Sequence, residues 1–322
     1  MESTIKHIFL LNPAAGKSER KADLRTQIEQ ACLARGVDFV IHTTGQPGEA
    51  TSFVDAFCAR EPHTQLRFYA CGGDGTLSET VNGAYGHPNA AVGVIPVGTG
   101  NDFVRNFQGK QAFLDIDAQL DGETLTLDLI RYNDHLCANM INIGFDCEVV
   151  KATSKLKKSR LIPAGMGYIA GLVLTLVRKP GVKATISLDG APAEQRRMLL
   201  TAVSNGAWCG GGFHSSPLAH LRDGVLDVLM IKNVTRVKFV SLVKLYKSGQ
   251  FIHSPRARRV IDYAKAHTVR YTFDAPQSIC VDGEVVETTE LEISAERDAL
   301  CLVVPRGAVY APACEPAPVG AC

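Results

Sequence analysis

Residues 69–83, YACGGDGTLSETVNG, set Gly72, Gly73 and Gly75 around Asp74 and follow them with Thr76, Leu77 and Ser78. Glycine lets the backbone come close to a ligand and adopt positive φ, and a helix beginning near Leu77 would aim its first N–H groups at an anion. That is phosphate-binding chemistry. An aspartate in such a turn repels phosphate unless a cation lies between them, so Asp74 implies Mg²⁺. A tight turn with an N-capping aspartate would account for one glycine but not for three. Two further stretches carry matching chemistry: LLNPAAGKS, with Asn12, Gly16 and Lys17, and VIPVGTGNDF, with Gly98, Thr99, Gly100, Asn101 and Asp102. Taken singly, the first reads as a proline turn and the second as a helix cap at Asn101. Together on one sheet edge they make a nucleotide site. Neither the G-x-x-x-x-G-K-[ST] nor the G-x-G-x-x-G spacing is present.

The elements that must hold these turns are legible from periodicity. HIFLLN, VDFVIHTT, LRFYAC and AVGVIPVG are apolar strand runs, separated by the helical patterns KSERKADLRTQIEQACLARG, GEATSFVDAFCARE and LSETVNGAYG. Alternation of this kind predicts βαβ units, a parallel sheet with flanking helices, and all three glycine turns at its carboxyl edge. After about residue 124 short strand-like runs dominate, predicting a mainly antiparallel β-sandwich interrupted by helical patches near 161–178 and 235–249. The expected organisation is an α/β domain over residues 1–124, a β-rich domain over 125–305 whose last strand can return to the first domain, and a disordered proline- and alanine-rich tail over 306–322.

Composition bounds the partners. With 34 Lys and Arg against 33 Asp and Glu there is no global field to attract nucleic acid, so any basic surface must be local. Ten scattered cysteines without a Cys-x-x-Cys pair read as reduced thiols. The N-terminal apolar run is too short for a secretory signal, which places the chain in the cytosol. Leu161–Val177 is an uncharged run bracketed by Arg160 and Arg178 and broken by Pro163. It reads as a buried or interfacial helix rather than a membrane span. The basic runs KATSKLKKSRL and SPRARRV suit an anionic leaflet, although a charged run is more often a solvated face.

NPAAGK, GGDGTLSETVNG and IPVGTGNDF, in this order, resemble the diacylglycerol kinase catalytic family, closest to the soluble bacterial lipid kinases of the diacylglycerol kinase and YegS type. NIGFD, SNGAWCGGGF, SPLAHLRDGVLDVLMI and VDGE extend the resemblance to about residue 305. It implies Mg-ATP in the α/β domain and a lipid hydroxyl as acceptor in the cleft between the domains. By the same resemblance ATP is held by Asn12, Pro13, Ala14, Ala15 and Gly16, by Thr44, by Gly72, Gly73, Asp74, Gly75, Thr76, Leu77 and Ser78, and by Thr99. Asp74 would reach the catalytic Mg²⁺. Glu284 matches the family's proton acceptor, with Asp282 orienting it or assisting the metal; an Asp-Gly hairpin followed by a solvated glutamate is the plain alternative. A structural Mg²⁺ is implied on the Asp223 side chain and the backbone of His220 and Val225. Ser78, where asparagine is common, and Arg222, where a second acid is common, depart from the pattern. The implied partner is a lipid at the inner membrane face with peripheral contact, no nucleic acid, and a homodimer left open. GGDGT also occurs in NAD kinases, so an NAD kinase-like enzyme and a catalytically silent lipid-binding regulator are the alternatives.

Overall fold

The computed structural model describes residues 5–15, 18–145, 147–148 and 181–312. Gly16 and Lys17, the basic run at 151–160, the apolar run at 161–177 and the tail from 313 lie outside the described residues. The chain divides into two compact units, Met1–Leu129 with Glu296–Pro312, and Ile130–Ala295.

The first unit opens with β1 (Ile5–Leu11), α1 (Ser18–Arg35), β2 (Asp38–Thr43), α2 (Glu49–Arg60), β3 (Gln65–Gly72), α3 (Asp74–Ala84) and β4 (Ala90–Pro96). A 3-10 turn at Phe103–Asn106, β5 (Phe107–Gln108) and α4 (Ile116–Leu120) follow. The next strands are β6 (Glu123–Tyr132), β7 (His135–Cys137), β8 (Met140–Gly144), β9 (Val182–Leu188), β10 (Glu194–Ser204) and β11 (Leu226–Lys232). Then come α5 (Arg236–Ser248), α6 (Pro255–Arg258), β12 (Ile261–Ala266), β13 (Thr268–Val281), β14 (Glu284–Val304) and β15 (Val309–Tyr310).

In the first unit β1 pairs with β2 and β3, and β3 with β4, all parallel, giving the order β2-β1-β3-β4. The end of β14 adds to this edge, Leu302 opposite Val92. Strands β3 and β4 are apolar almost throughout because they are buried along nearly their whole length. Helix α3 lies close on α2: a Cβ at Gly83 would come within 2.5 Å of the Thr51 carbonyl oxygen.

In the second unit the pairing is antiparallel, in the order β12-β11-β10-β8-β13-β14, with β9 pairing both β10 and β13. One core cluster joins Ile141, Ile143, Val203, Val228, Tyr271 and Leu291. A second seats α5 through Phe239, Leu242 and Tyr246 against Phe145, Leu229 and Phe251.

The tail expectation needs correcting at its start. Residues 306–312 are ordered: Val309 and Tyr310 pair with Gln108 and Phe107, Arg306 N–H bonds the Ala118 carbonyl at 2.9 Å, and the Tyr310 ring packs on Phe107. The eight described cysteines are all free thiols. Among the described residues no helix is long and apolar enough to cross a membrane.

Candidate active site

The strand order β2-β1-β3-β4 reverses direction between β1 and β3, and the carboxyl ends of these two strands are where such a sheet opens a crevice for ligands. Asn12, just past β1, bridges that point. Its N–H bonds the Cys71 carbonyl at 3.2 Å, its Nδ2 donates to Thr76 Oγ1 at 2.9 Å, and its Oδ1 accepts the Ala14 N–H at 2.8 Å. Thr44, at the end of β2, is drawn to the same edge by donating its N–H and Oγ1 to the Leu11 carbonyl. Pro13 and Ala14 are exposed and Ala15 is half-buried beside them.

Helix α3 starts at Asp74, three residues earlier than the sequence suggests, because the extended Gly73 is already its N-cap and the Leu77 N–H bonds the Gly73 carbonyl at 3.1 Å. Gly75, Thr76, Leu77 and Ser78 therefore belong to the first turns of the helix, and the Gly75 and Thr76 N–H groups precede its first internal bond, as an anion site requires. The Leu77 side chain is buried, so only its backbone is available to a ligand. The Ser78 carbonyl accepts from Asn82.

The loop after β4 closes on this turn. Gly98 N–H bonds the Gly72 carbonyl at 2.9 Å, and a Cβ on Gly98 would stand 2.8 Å from the Gly73 nitrogen. A Cβ on Gly72 would meet Thr76 Cβ at 2.5 Å. Gly98 is thus required by the contact of two backbones, and Gly72 by the Thr76 side chain packed over it. Asn101 takes a left-handed φ of 52° and ties Pro96 and Gly98 carbonyls with its Nδ2, leaving its buried Oδ1 without a partner among the described residues. Thr99 is exposed on the same loop.

Asp74 faces this loop. Its Oδ1 accepts the Asp102 and Phe103 N–H groups at 3.0 and 3.4 Å. Its Oδ2 and that of Asp102 flank Gly100, 2.8 and 3.9 Å from where a Cβ there would sit. Asp102 is buried and ion-pairs with Arg105 at 3.0 Å. Two carboxylates, an orphaned amide oxygen and a side-chain-free cradle fit Mg-ATP, since Mg²⁺ is commonly held by one or two carboxylates plus substrate phosphates. In the sequence Asp102 is only part of a turn; that it joins Asp74 follows from the parallel alignment of β3 and β4.

In the second unit Glu284 is the first residue of β14 and is exposed, opposite Val281 across a two-residue hairpin. Asp282 and Gly283 fill the turn with φ of 46° and 95°, both left-handed, as a type I′ turn demands. The Asp282 carboxylate accepts three backbone N–H groups, from Ala138 at 2.8 Å, Met140 at 2.9 Å and Asn139 at 3.2 Å, while its own N–H bonds the Met140 carbonyl. Burial pushes this carboxyl up, against the downward pull of those N–H groups. Asp282 is thus an anchor for the hairpin tip, and its lone pairs are committed to backbone rather than to a metal. Burial also raises the Tyr132 hydroxyl, and the Cys137, Asp282 and Glu284 charges add to it.

The loop expected to hold a structural metal holds a lysine. Lys265 Nζ lies 2.9 Å from Asp223 Oδ2, 3.1 Å from Asp227 Oδ2 and 3.3 Å from the Leu218 carbonyl. Asp223 is 10% and Asp227 0% exposed, against 41% for Lys265. Val225 N–H bonds Asp223 Oδ1, and His220 Nδ1 accepts the Arg222 N–H. The ammonium supplies the positive charge that Asp223 needs, so its carboxylate is already matched by a cation of the chain itself. Burial lowers the Lys265 ammonium, but Asp227 and Asp223 together hold it above its usual value.

The chain matches the diacylglycerol kinase catalytic domain family over residues 6–132 and the YegS C-terminal NAD kinase beta sandwich-like domain family over residues 139–304. It belongs to the diacylglycerol kinase and YegS-like family. A diacylglycerol kinase of Bacillus subtilis is 28% identical over 285 residues, covering 86% of this chain and 88% of its own. A Pseudomonas aeruginosa protein named "Probable lipid kinase YegS-like" is 29% identical over 304 residues, covering 93% and 94%. The crystal structure of a diacylglycerol kinase from Bacillus anthracis superposes with a TM-score of 0.68 at 20% identity, covering 95% of this chain and 98% of that one, a likeness of fold. As a member of this family the chain is a phosphotransferase with an alcohol acceptor, a kinase acting on a lipid.

Proposed function

We propose that this lipid kinase transfers the γ-phosphoryl group of ATP, in a Mg²⁺-dependent reaction, to the hydroxyl of a diacylglycerol-like lipid at the inner membrane face. The observation that carries the nucleotide half is the cradle at the β1–β3 switch point, where Asn12, the start of α3 and the Gly98–Gly100 loop meet around Asp74. Phosphoryl transfer asks mainly for positioning and charge neutralisation. The first-turn N–H groups of α3 would hold phosphate oxygens, and Asp74 and Asp102 would hold Mg²⁺. Bound Mg²⁺ neutralises phosphate charge. Glu284 accepts the proton of the lipid hydroxyl as its oxygen forms the new bond to phosphorus and ADP leaves. Asp282 keeps the hairpin tip in place for that transfer.

The names of the relatives support the acceptor class. Incubating the chain with radiolabelled ATP and a panel of diacylglycerol, phosphatidylglycerol, sphingoid bases and NAD in mixed micelles tests it. Label on diacylglycerol supports the reading. Label on NAD alone gives the NAD kinase-like alternative, and ATP binding without transfer to any acceptor gives a silent lipid-binding protein.

A further inference from the structure

Residues 233–261 contain seven Lys or Arg and no Asp or Glu, in a chain whose net charge is only +1, so the rest of the chain stands at −6. The segment builds α5, α6 and the 3-10 turn joining them. The inner face of α5 is spent on the core through Phe239, Leu242 and Tyr246. Its outer face, at i, i+3, i+7 and i+10, is Val237, Val240, Lys244 and Lys247, all exposed. Val237 is 82% and Val240 56% exposed; among the described residues no other element bears two exposed large hydrophobics.

Helix α6 extends this face. Arg256 donates to Ser241 Oγ of α5 at 3.3 Å, Arg258 donates to the Ile252 carbonyl, and Arg259 is exposed beside them. Among the described residues no carboxylate pairs with Lys244, Lys247, Arg256, Arg258 or Arg259. The nearby acid Asp262 is already shared by Arg196 and Lys232. A surface on which cations lie unneutralised beside two protruding valines is complementary to an anionic bilayer, where basic side chains sit at the headgroups and small apolar groups enter the interface.

We infer that the α5–α6 face docks the kinase on anionic membrane lipid. The inference rests on the lipid-kinase reading for its purpose, since a membrane-resident acceptor must be reached at the bilayer, but the binding itself needs neither ATP nor turnover. The test is sedimentation of the full chain with vesicles of phosphatidylcholine containing about one-third phosphatidylglycerol, against phosphatidylcholine alone. The wild-type chain should bind the anionic vesicles and release them as salt rises toward about 0.5 M. The triple variant Lys244→Gln, Arg256→Gln, Arg259→Gln should bind on the order of 10²-fold more weakly, at roughly fivefold per basic residue. Val237→Ser with Val240→Ser should weaken binding several-fold without changing its salt dependence. Both variants should keep full activity on lipid dispersed in neutral detergent micelles, which separates docking from catalysis and from folding. Three outcomes would overturn the inference: undiminished vesicle binding by the triple variant, equal loss on micelles and vesicles, or conversion of a dimer to a monomer with vesicle binding unchanged, which would give the face to a second copy of the chain.

Discussion

Replacing Lys265 by methionine keeps most of the side-chain volume and removes the ammonium that Asp223 and Asp227 share. Deleting one partner of a fully buried ion pair costs about 3–5 kcal/mol, because the charge left behind has lost both water and counter-ion. Lys265 is 41% exposed, so solvent already screens part of that attraction, and about 2 kcal/mol is the fitting figure. For a domain of this size that lowers the melting temperature by roughly 4–8 °C. The pH dependence carries the diagnosis. Burial already raises the Asp227 carboxyl in spite of Lys265, and removing the lysine raises it further. A carboxyl raised on folding contributes stability below its unfolded pKa and loses it as pH rises through the folded one. The deficit should therefore be largest near neutrality and shrink as pH falls toward about 4. The two carboxylates and the Leu218 carbonyl are then a set of hard oxygen donors, so the variant should be restabilised by Mg²⁺ or Ca²⁺. Thermal melts of both proteins at several pH values, with and without divalent ion and with nucleotide absent, measure all of this. A variant as stable as the wild type at neutral pH, or one that gains nothing from divalent ions, would refute the reasoning.

Glu284→Gln should cut phosphoryl transfer by about 10²-fold or more while leaving ATP affinity unchanged by calorimetry, because a base in the proposed role acts on the acceptor only in the transition state; loss of both together would make Glu284 a structural residue. Gly98→Ala pushes a Cβ against the Gly73 backbone and should part the two glycine loops, lowering stability by about 1–3 kcal/mol and ATP affinity at least tenfold; ATP titration of a folded variant with wild-type affinity contradicts it. His7 is held down from 6.5 to about 4, by burial first and the Arg67 charge second, against a smaller opposing pull from Asp38. A group that must stay neutral in the fold loses stability as pH falls, so urea unfolding should show the chain weakening from about pH 6.5 to 4. His7→Gln should flatten that slope.

The glycine turns were legible because the signal is local: a strand run, then glycines, then a helical pattern, with parallel pairing bringing the three turns to one edge. Where α3 begins was less so, since nothing in GGDGTLSE distinguishes a Gly73 cap from a start at Leu77 until the backbone is seen. Lys265 was not legible at all. It meets Asp227 as its antiparallel partner in the β11–β12 register and Asp223 one loop away, and a pairing of that range leaves no periodicity to read. The tail misled in the other direction. Its proline and alanine content suggested disorder from residue 306, yet Phe107 offers Tyr310 a ring to pack on and β5 offers a strand to join.

The clamp of three main-chain N–H groups on Asp282 separates two tasks that many sites entangle. The backbone position of residue 284 is set by a turn whose shape depends on Asp282, Gly283 and the 138–140 chain. Substitutions among the side chains around residue 284 therefore leave the turn that carries it in place. With Glu284 as the proposed proton acceptor, a kinase built this way can change which alcohol it accepts by substituting its surroundings, one residue at a time, and keep the same base throughout.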